Sequence, residues 1–306
     1  LSPDIAHFQY FTPILKTCPW HVTIHDVLFN DYPQYFTRFY RLLRNPLFFI
    51  SAHRSDVLST VSEYSRSRIA FWLRYPKANI RIIPNGVATL GLTSSEADSL
   101  SIRKILSCSS PYIACVSRFE PRKNQAALLM AYINGSFWHS GVKLVFVGSK
   151  TAPVPLFDRL YKSISPEIKE NIYFLSSISE HDLHLIMSNA AVSVYPSFAE
   201  GFGMPPLESA IYGVPTLVAR TTAMSDFLFP HNLFFDPEDS DQLCAKIHAI
   251  LNNPYRARNQ MLEIADWIRR SYSWSSSAEA FRRHMNAFLE PPIEPPKNID
   301  TSTKRG

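Results

Sequence analysis

The sequence predicts an α/β protein of two domains, each with a parallel sheet covered by helices. Three observations predict this fold class. The chain has 306 residues, which is long for one hydrophobic core and suits two domains of ordinary size. Short runs of β-branched and aromatic residues alternate with helical patterns, and these runs are continuously apolar, as in parallel strands buried on both faces. A polar stretch at residues 93–101 separates two such regions.

The second region contains six candidate strands. They are residues 111–117, 142–148, 171–176, 191–197, 214–219 and 232–236. Helical patterns such as NQAALLMAYI and SEHDLHLIMSNA lie between them, with apolar residues spaced three and four apart. Strands that alternate with helices in this way predict a doubly wound α/β domain.

The first region has the same alternation on a smaller scale. Its candidate strands are HFQYF, WHVTIHD, DVLSTVS and IRIIPNG. This sheet is thin beside a dinucleotide-type domain of about six strands, so we interpret it as incomplete. We predict a partial N-terminal domain at 1–88, a C-terminal domain at 89–272, a helix returning toward the first domain at 273–290, and a disordered proline-rich tail at 291–306.

Composition and charge restrict the classes of function. A net charge of +5 and a pI near 9.0 favour anionic partners such as phosphates, nucleotides or an acidic membrane face, but also fit an ordinary soluble surface. No nucleic-acid-binding motif accompanies the basic residues, so nucleic acid is not an expected partner. The cysteines Cys18, Cys108, Cys115 and Cys244 form no CxxC pair, which indicates a reducing compartment and no zinc site. Because no apolar run reaches about 18 residues and no signal peptide is recognisable, we expect a cytoplasmic protein, soluble or peripheral.

A glycine-rich turn follows the strand at 191–197. In PSFAEGFGMPPLE, Glu200 and Glu208 stand on either side of Gly201 and Gly203. The turn ends a parallel strand and leads into a helix beginning near Pro205, so its backbone N–H groups are expected at the edge of the sheet where ligands bind. The alternative is that the glycines only permit a tight turn and that Glu208 complements the helix dipole.

A basic loop follows the strand at 111–117. The stretch SRFEPRKN places Arg118, Arg122 and Lys123 between a strand and a helix, where cations and helix N–H groups can together hold a diphosphate. A solvated basic loop is the alternative. Two phosphate-like features at the same edge of one sheet favour a shared anion site.

The segment DPEDSDQL has the form of a metal-binding Asp-x-Asp at Asp239 and Asp241. These residues directly precede an amphipathic helix, where an aspartate is the expected N-cap. We therefore predict a helix cap rather than a metal ligand.

The segment at 35–50, YFTRFYRLLRNPLFFI, interleaves Arg38, Arg41 and Arg44 with aromatic residues and leucines. Arginines at this spacing can lie on an anionic membrane surface, as a peripheral protein at the inner membrane face would require. We favour the other interpretation, a helix packed on its own sheet with an arginine-lined outer face.

Together these motifs resemble retaining glycosyltransferases of family 4, whose GT-B fold has two Rossmann-like domains facing across a cleft. EGFGMPPLESAIYGVP resembles the family's signature of two glutamates around a Gly-Phe-Gly turn, and VSRFEPRKN resembles its Arg and Lys motif for the donor phosphates. Further matches are VTIHD, LSTVSEYSR, IIPNGV and the final YSW before a helix, so the resemblance covers most of the chain.

The resemblance implies four catalytic residues, Glu200, His25, Arg118 and Lys123. Arg118 and Lys123 would neutralise the donor diphosphate and stabilise it as a leaving group, with no metal ion and no other cofactor. Glu200 would contact the donor sugar. His25 would face that sugar across the cleft and polarise a hydroxyl or phosphate near the reacting carbon.

The resemblance also implies a set of donor-binding residues. Glu208 would accept hydrogen bonds from the ribose hydroxyls, the glycine-rich turn would contact the sugar, and the backbone after the strand at 171–176 would contact the base. The set is Gly201, Phe202, Gly203, Met204, Glu208, Ser177 and Ile178.

The implied activity is the transfer of a hexose, with mannose as the leading choice, from a nucleotide-diphosphate sugar to a glycan or lipid-linked acceptor. GDP-mannose and a UDP-hexose are the candidate donors. Retention would follow same-face attack assisted by the leaving phosphate rather than the close carboxylate pair of retaining hydrolases. The alternative function is a non-catalytic or partner-dependent subunit that binds the nucleotide-sugar.

The sequence departs from the family pattern in the N-terminal domain and within two motifs. Only the later part of that domain is recognisable, which is consistent with a fragment, with a partner chain that completes it, or with a remodelled acceptor site. Ser117 replaces the first glycine of the usual Gly-Arg pair, and its small side chain still allows close approach of a phosphate. Ser225 and Asp226 replace the usual Pro-Glu, and Asp226 keeps the carboxylate.

Overall fold

Two parallel sheets organise the protein. The structure, a computed structural model, describes residues 3–87, 105–106 and 110–289. The predicted boundary between residues 88 and 89 and the predicted tail at 291–306 lie outside these ranges and stay predictions.

The first sheet has four parallel strands in the order β1-β2-β3-β4. The elements of this domain are β1 (Ala6–Gln9), β2 (Trp20–Thr23), α1 (Leu28–Asp31), α2 (Arg38–Arg54), β3 (Val57–Thr60), α3 (Glu63–Trp72) and β4 (Ile80–Ile82). The four candidate strands are confirmed, and Val22, Leu58 and Ile69 belong to the core that covers the sheet. Because the strand order is sequential and right-handed crossovers are the rule, α2 and α3 lie on the same face. Their ends meet where His53 Nε2 and the Leu73 carbonyl oxygen are hydrogen-bonded at 2.9 Å.

The second sheet has six parallel strands. They are β5 (Tyr112–Val116), β6 (Lys143–Val147), β7 (Ile172–Leu175), β8 (Val192–Tyr195), β9 (Thr216–Ala219) and β10 (Phe234–Phe235). The helices are α4 (Gln125–Asn134), α5 (Pro155–Ser163), α6 (Pro166–Lys169), α7 (Glu180–Asn189), α8 (Met204–Ala210), α9 (Ser240–Asn252), α10 (Pro254–Ser271) and α11 (Trp274–Leu289). All six candidate strands are confirmed. The last is shorter than expected because His231–Leu233 form a 3₁₀ turn.

The sequence patterns do not predict α5, α6 and α10. Each of these helices begins with a proline, at Pro155, Pro166 and Pro254. Proline is usual in loops, but its fixed φ also suits the first turn of a helix, where no N–H donor is needed.

The order of the second sheet is β7-β6-β5-β8-β9-β10 when read from β7. This is the doubly wound order in which the chain reverses its direction of progress beside the first strand. Here the reversal falls between β5 and β8, which pair at Ile113 with Val192 and at Ala114 with Ser193. The prediction of two α/β domains on parallel sheets is confirmed, and the switch point places the ends of β5 and β8 side by side.

The last helix, α11, packs against the first domain. Ser277 Oγ donates to the Pro84 carbonyl at 2.6 Å, and the Val87 N–H donates to the Tyr272 carbonyl at 2.5 Å. Gly86 has no room for a side chain, because a Cβ there would lie 2.5 Å from the Trp274 nitrogen. The start of α11 and the chain leaving the first domain are therefore joined along their backbones.

The outer face of α2 is apolar, so the favoured prediction of an arginine-lined outer face is wrong. Phe39 and Leu42 are each 75% exposed and Leu43 is 53% exposed. The buried face is that of Phe48, Ser51 and Ala52. Arg38 is exposed, whereas Arg41 and Arg44 are half-buried. The sequence pattern misleads here because apolar residues occupy both faces of this helix.

No helix in the described ranges has the length and the apolar character needed to cross a bilayer. Cys18, Cys115 and Cys244 are free thiols, and Cys108 lies outside the described residues.

A buried histidine should make the first domain sensitive to acid. His21 lies in β2 with its ring stacked on His7 at 4.4 Å, and its Nε2 is hydrogen-bonded to Ser59 Oγ at 2.7 Å. Burial, with His7 and His284 nearby, lowers the pKa of His21 to about 3. An unfolded chain protonates this ring below pH ~6.5, whereas the folded protein does not until far lower pH, so folding is progressively disfavoured as the pH falls through that window.

We expect His21→Asn to reduce this acid sensitivity. Between pH ~7.5 and pH ~5 the parent protein should lose about 2 kcal/mol more of its free energy of unfolding than the variant does. Urea denaturation at the two pH values measures the difference. Equal losses in the two proteins would show that His21 is not the group that titrates.

Candidate functional site

The two motif loops meet at one edge of the second sheet. Residues 117–123 follow β5 and residues 196–203 follow β8, and these two strands are hydrogen-bonded neighbours. The Phe198 N–H donates to the Arg122 carbonyl at 2.8 Å, which joins the loops directly. This position is the crevice at the topological switch point, where open α/β sheets bind their ligands.

Glu200 forms the centre of a buried ion-pair cluster. Its Oε1 accepts from Lys123 Nζ at 2.6 Å, and its Oε2 accepts from Arg122 Nη1 at 3.2 Å. Arg122 also pairs with Glu120 at 2.7 Å and donates to the Ala199 carbonyl at 2.7 Å. The side chains of Glu200 and Arg122 are each 14% exposed and that of Lys123 is 11% exposed, so solvent screens these contacts poorly.

Each charged side chain in this cluster helps to keep its partners ionised. Burial acts to raise the pKa of Glu200, but Lys123 and Arg122 outweigh it and hold that pKa below its usual value. Burial acts to lower the pKa of Arg122, and Glu200 and Glu120 raise it above its usual value. Glu200 is therefore an ionised carboxylate at neutral pH.

The backbone around Glu200 is held in place from within the second domain. The Glu200 N–H donates to Thr222 Oγ1 at 2.8 Å. Gly203 has φ +100°, a conformation that favours glycine, and it directly precedes α8 at Met204. The Phe202 ring is buried and packs edge-on against Tyr272 at 5.6 Å.

The same loop is also bound by the first domain. The Gly201 carbonyl accepts from Ser62 Oγ at 2.8 Å and from Ser65 Oγ at 3.1 Å. Asp226, which follows in the second domain, accepts from the Tyr64 N–H at 3.0 Å. The start of α3 therefore aligns the glycine-rich turn across the cleft between the domains.

Asp26, which follows His25 after the end of β2, approaches this turn from the first domain. Asp26 lies so close to Gly201 that a Cβ added at Gly201 would overlap Asp26 Oδ2. Burial raises the pKa of Asp26, and its Oδ1 accepts from the Leu28 N–H at 3.1 Å. The His25 ring stacks on Tyr10 at 5.2 Å, and burial lowers its pKa, so the imidazole is neutral at neutral pH.

Arg118 and Glu208 lie outside the ion-pair cluster. Arg118 is exposed and forms no ion pair with a described residue, while its carbonyl accepts from Gln125 Nε2 at 2.8 Å. Glu208 is half-buried in α8 and likewise has no cationic partner among the described side chains. Burial, with a smaller contribution from Glu180, raises the pKa of Glu208.

A cavity of about 360 Å³ lies at the ends of β6 and β7. It is lined by Phe119, Gly148, Ser149, Lys150, Phe157, Asp158, Tyr161, Phe174, Leu175 and Ser176. Ser177, exposed with φ +56°, and the half-buried Ile178 follow these lining residues directly. A Cβ at Gly148 would lie 3.2 Å from the Arg118 nitrogen, so the cavity adjoins the basic loop.

The structure brings together some of the residues predicted to be catalytic and separates others. Glu200 and Lys123 are in direct contact. His25 precedes Asp26, which contacts their loop at Gly201, and Arg118 stands apart. The sequence places Arg122 among the cations that can together hold a diphosphate but not among the four catalytic residues, and it does not single out Asp26. Both lie within quoted motifs, EPRKN and VTIHD, but nothing in the sequence indicates that they contact the glycine-rich turn.

The candidate metal motif is a helix cap, as predicted. Asp239 Oδ1 accepts from the Gln242 N–H at 2.8 Å at the start of α9, and Asp241 Oδ1 accepts from Asn134 Nδ2 at 3.0 Å. Across the described part of the chain, no group of three His, Cys, Asp or Glu side chains is arranged to hold a metal ion.

Comparisons with known proteins identify relatives for both domains. The family model for glycosyl transferases group 1 matches residues 101–266, and the model for Glycosyltransferase Family 4 matches residues 1–89. O-antigen chain mannosyltransferase B of Escherichia coli is 28% identical over 228 residues, which is 74% of this chain and 59% of that protein. O-antigen chain mannosyltransferase RfbU of Salmonella typhimurium is 25% identical over 220 residues, which is 71% of this chain and 57% of that protein. The chain thus spans less than two thirds of the length of these curated relatives.

Solved structures share the fold. HepE of Anabaena in complex with UDP superposes with a TM-score of 0.75 at 16% identity, over 88% of this chain and 72% of that chain. Sucrose-phosphate synthase of Thermosynechococcus elongatus gives a TM-score of 0.74 at 21% identity, over 93% of this chain and 74% of that chain. The predicted fold class, two Rossmann-like domains facing across a cleft, is confirmed.

Proposed function

This chain belongs to the glycosyl transferases group 1 family, and from that premise we propose that it transfers a hexose from a nucleotide-diphosphate sugar to a glycan or lipid-linked acceptor, with retention of configuration. The observation that carries the proposal is the buried cluster of Glu200, Lys123 and Arg122 at the switch point of the second sheet. Such a cluster holds charge in a crevice that excludes water, where preorganised charges act most strongly on a reacting group.

The cations of the basic loop are suited to a diphosphate. Lys123 and Arg122 are compensated by Glu200 and Glu120, while Arg118 beside them is uncompensated among the described residues. A donor diphosphate would contact Arg118 and compete with Glu200 for Lys123. These side chains would then stabilise the leaving nucleotide, so the proposed reaction uses protein cations and no metal ion.

The state of Glu200 favours same-face attack over a covalent intermediate. A carboxylate with a lowered pKa and two cationic partners is a weak nucleophile, because its electron density is already engaged. Glu200 instead suits an electrostatic role, in which it orients the donor sugar and offsets positive charge at the anomeric carbon. The neutral His25 across the cleft suits hydrogen bonding to the sugar.

Residues around the ion-pair cluster would recognise the ribose and the nucleobase of the donor. Glu208 has a raised pKa and no cationic partner in the described chain, which suits hydrogen bonding with neutral ribose hydroxyls. The cavity at the ends of β6 and β7 has aromatic walls, including Phe174, and Ser177 and Ile178 adjoin it. We assign the nucleobase to this cavity. Mannose is the leading sugar because the curated relatives are named as mannosyltransferases.

A transfer assay with GDP-mannose and UDP-glucose tests the proposal. Each donor is incubated with the protein and a lipid extract as acceptor, and the products are resolved by mass, with the anomeric configuration read by NMR. We expect sugar transfer from one donor with its configuration retained. Donor binding without turnover would support the alternative of a non-catalytic nucleotide-sugar-binding subunit, and failure to bind either nucleotide would refute both.

A further inference from the structure

A second cavity, the β9–β10 cavity, lies at the ends of these two strands, on the same edge of the second sheet as the candidate functional site. Its volume is about 580 Å³, within the range of cavities that hold small organic ligands. Arg220 directly follows β9, Asp236 directly follows β10, and Lys246 of α9 also lines it. Tyr32, just after α1, lines it from the first domain. The cavity is therefore shared between the two domains.

The order of the strands determines what this cavity adjoins. The proposed donor contacts run along the sheet edge from the nucleobase cavity at β6 and β7 to the ion-pair cluster at the ends of β5 and β8. The strand β9 is next to β8, and β10 is next to β9. A donor bound in that direction would have its transferred sugar nearest to the β9–β10 cavity.

Two residues that line the cavity also connect it to the glycine-rich loop. Thr221 Oγ1 donates to the Ser197 carbonyl at 2.9 Å. Phe198 stands two residues before Glu200 in the chain. A ligand in the cavity would therefore contact the loop that carries Glu200, to which the donor sugar is assigned.

Aromatic rings form part of the cavity wall. Tyr32 and Phe198 are both half-buried there. Tyr35 stacks on both of them, with ring centres 6.2 Å from Tyr32 and 6.3 Å from Phe198 and an angle of 18° in each case. This stacking fixes the two rings as a rigid apolar surface. One face of a pyranose ring carries mainly C–H groups, which gain from burial against such a surface.

The partners of the two cations in this cavity are not carboxylates. The Arg220 guanidinium lies 4.8 Å from the Phe234 ring centre, and its Nη2 is hydrogen-bonded to His231 Nδ1 at 3.0 Å. Lys246 Nζ donates to the Asn232 carbonyl at 2.9 Å. Burial, with Arg220 nearby, lowers the pKa of Lys246. Arginine and lysine each have more N–H donors than these contacts use, so both can also donate to a ligand.

Two carboxylates line the same cavity. Asp236 and Glu238 are exposed, and Asp236 Oδ1 accepts from the Glu238 N–H at 2.9 Å. The lining thus combines charged donors, from Arg220 and Lys246, with charged acceptors. Hydroxyl groups both donate and accept, so a neutral sugar can bond with both kinds of side chain. A phosphate or a carboxylate would instead be repelled by Asp236 and Glu238.

We propose that the β9–β10 cavity binds a neutral sugar unit of a glycan acceptor. Its ring packs against Tyr32 and Phe198 while its hydroxyl groups bond with Arg220 and Lys246. The neighbouring unit of the glycan then reaches the donor sugar beside Glu200. Carbohydrate binding stands on the lining of the cavity, whereas the role of that carbohydrate as the acceptor rests on the proposed function.

Saturation-transfer NMR with the neutral trisaccharides mannotriose, maltotriose and cellotriose tests the site. We expect the parent protein to bind at least one of them, and to bind the acidic trigalacturonate more weakly. The double variant Arg220→Met/Lys246→Met should bind the preferred trisaccharide about tenfold or more weakly, because two charge-assisted hydrogen bonds are lost.

The matched control is Arg256→Met/Lys162→Met, which removes an exposed arginine and an exposed lysine elsewhere in the second domain. It should bind the trisaccharide as the parent does, and thermal denaturation checks that both variants fold. Equal weakening in the two variants would overturn the proposal. A parent protein that binds none of the neutral trisaccharides, or that prefers trigalacturonate, would overturn it as well.

Titration of GDP and UDP separates this site from the donor site. Arg220→Met/Lys246→Met should bind the nucleotide as the parent does, and a large loss of nucleotide affinity would contradict a separate site. Nucleotide binding without trisaccharide binding in the parent would refute this site and leave the proposed function intact. Trisaccharide binding without nucleotide binding would refute the proposed function and leave the carbohydrate site in place.

Discussion

Glu200→Gln should lower the rate of sugar transfer about 100- to 1,000-fold, which is the usual effect of removing one preorganised electrostatic contact. Affinity for the free nucleoside diphosphate should be unchanged or higher in the same variant. The reason is that Glu200 competes with the diphosphate for Lys123, to which it is paired at 2.6 Å. Glutamine keeps the shape of the side chain and removes the charge. Initial rates and calorimetric titration with GDP and UDP measure the two effects.

Lys123→Met should change nucleotide affinity in the opposite direction from Glu200→Gln. It should weaken both transfer and nucleotide binding, because a cation that would meet the phosphates is gone. Lys143→Met is the matched control, since Lys143 lies at the other end of the sheet, where β6 begins, and is bonded to Asn171. Loss of nucleotide binding in Glu200→Gln would contradict the role given to Glu200.

Gly148→Ala should destabilise the second domain by about 3 kcal/mol and weaken nucleotide binding. Gly148 has φ +140°, a conformation that strains any other residue, and an added Cβ would overlap the Ser117 carbonyl oxygen. The backbone of Ser117 and Arg118 would have to move, and with it the basic loop. Urea denaturation and nucleotide titration measure the two effects.

Gly141→Ala is the control for strain alone. Gly141 also has positive φ, +73°, but nothing lies within 4 Å of a Cβ built there. This variant should lose only about 1 kcal/mol and bind nucleotide normally. Equal losses at the two glycines would show that the contact with Ser117 has little effect.

The strands could be predicted because burial on both faces leaves a direct signal in the sequence. The candidate strand at 142–148 contains β6, Lys143–Val147, and the candidate strand at 111–117 contains β5, Tyr112–Val116. Helix α2 shows where that signal is ambiguous. Its apolar residues fall on both faces, and the sequence does not show which face meets the sheet and which meets solvent.

The sequence predicts the candidate site as two motifs at the same edge of one sheet, without a contact between their side chains. The sequence assigned Lys123 to the donor phosphates and Glu200 to the donor sugar, and in the structure these side chains are bonded to each other. They are 77 residues apart in the chain. Their contact depends on the pairing of β5 with β8, and Asp26 and Ser62 approach the same turn from the other domain.

The sequence by itself determined the α/β class, the strands and the two loops that carry chemistry, because apolar runs, glycines and clustered charges act over a few neighbouring residues. Only the tertiary structure decided which side chains of these loops touch, which cations compensate Glu200 and which face of α2 is left to solvent. Those outcomes depend on strand order and on the packing of one domain against the other. Such contacts join residues far apart in the chain, and a local pattern contains no information about them.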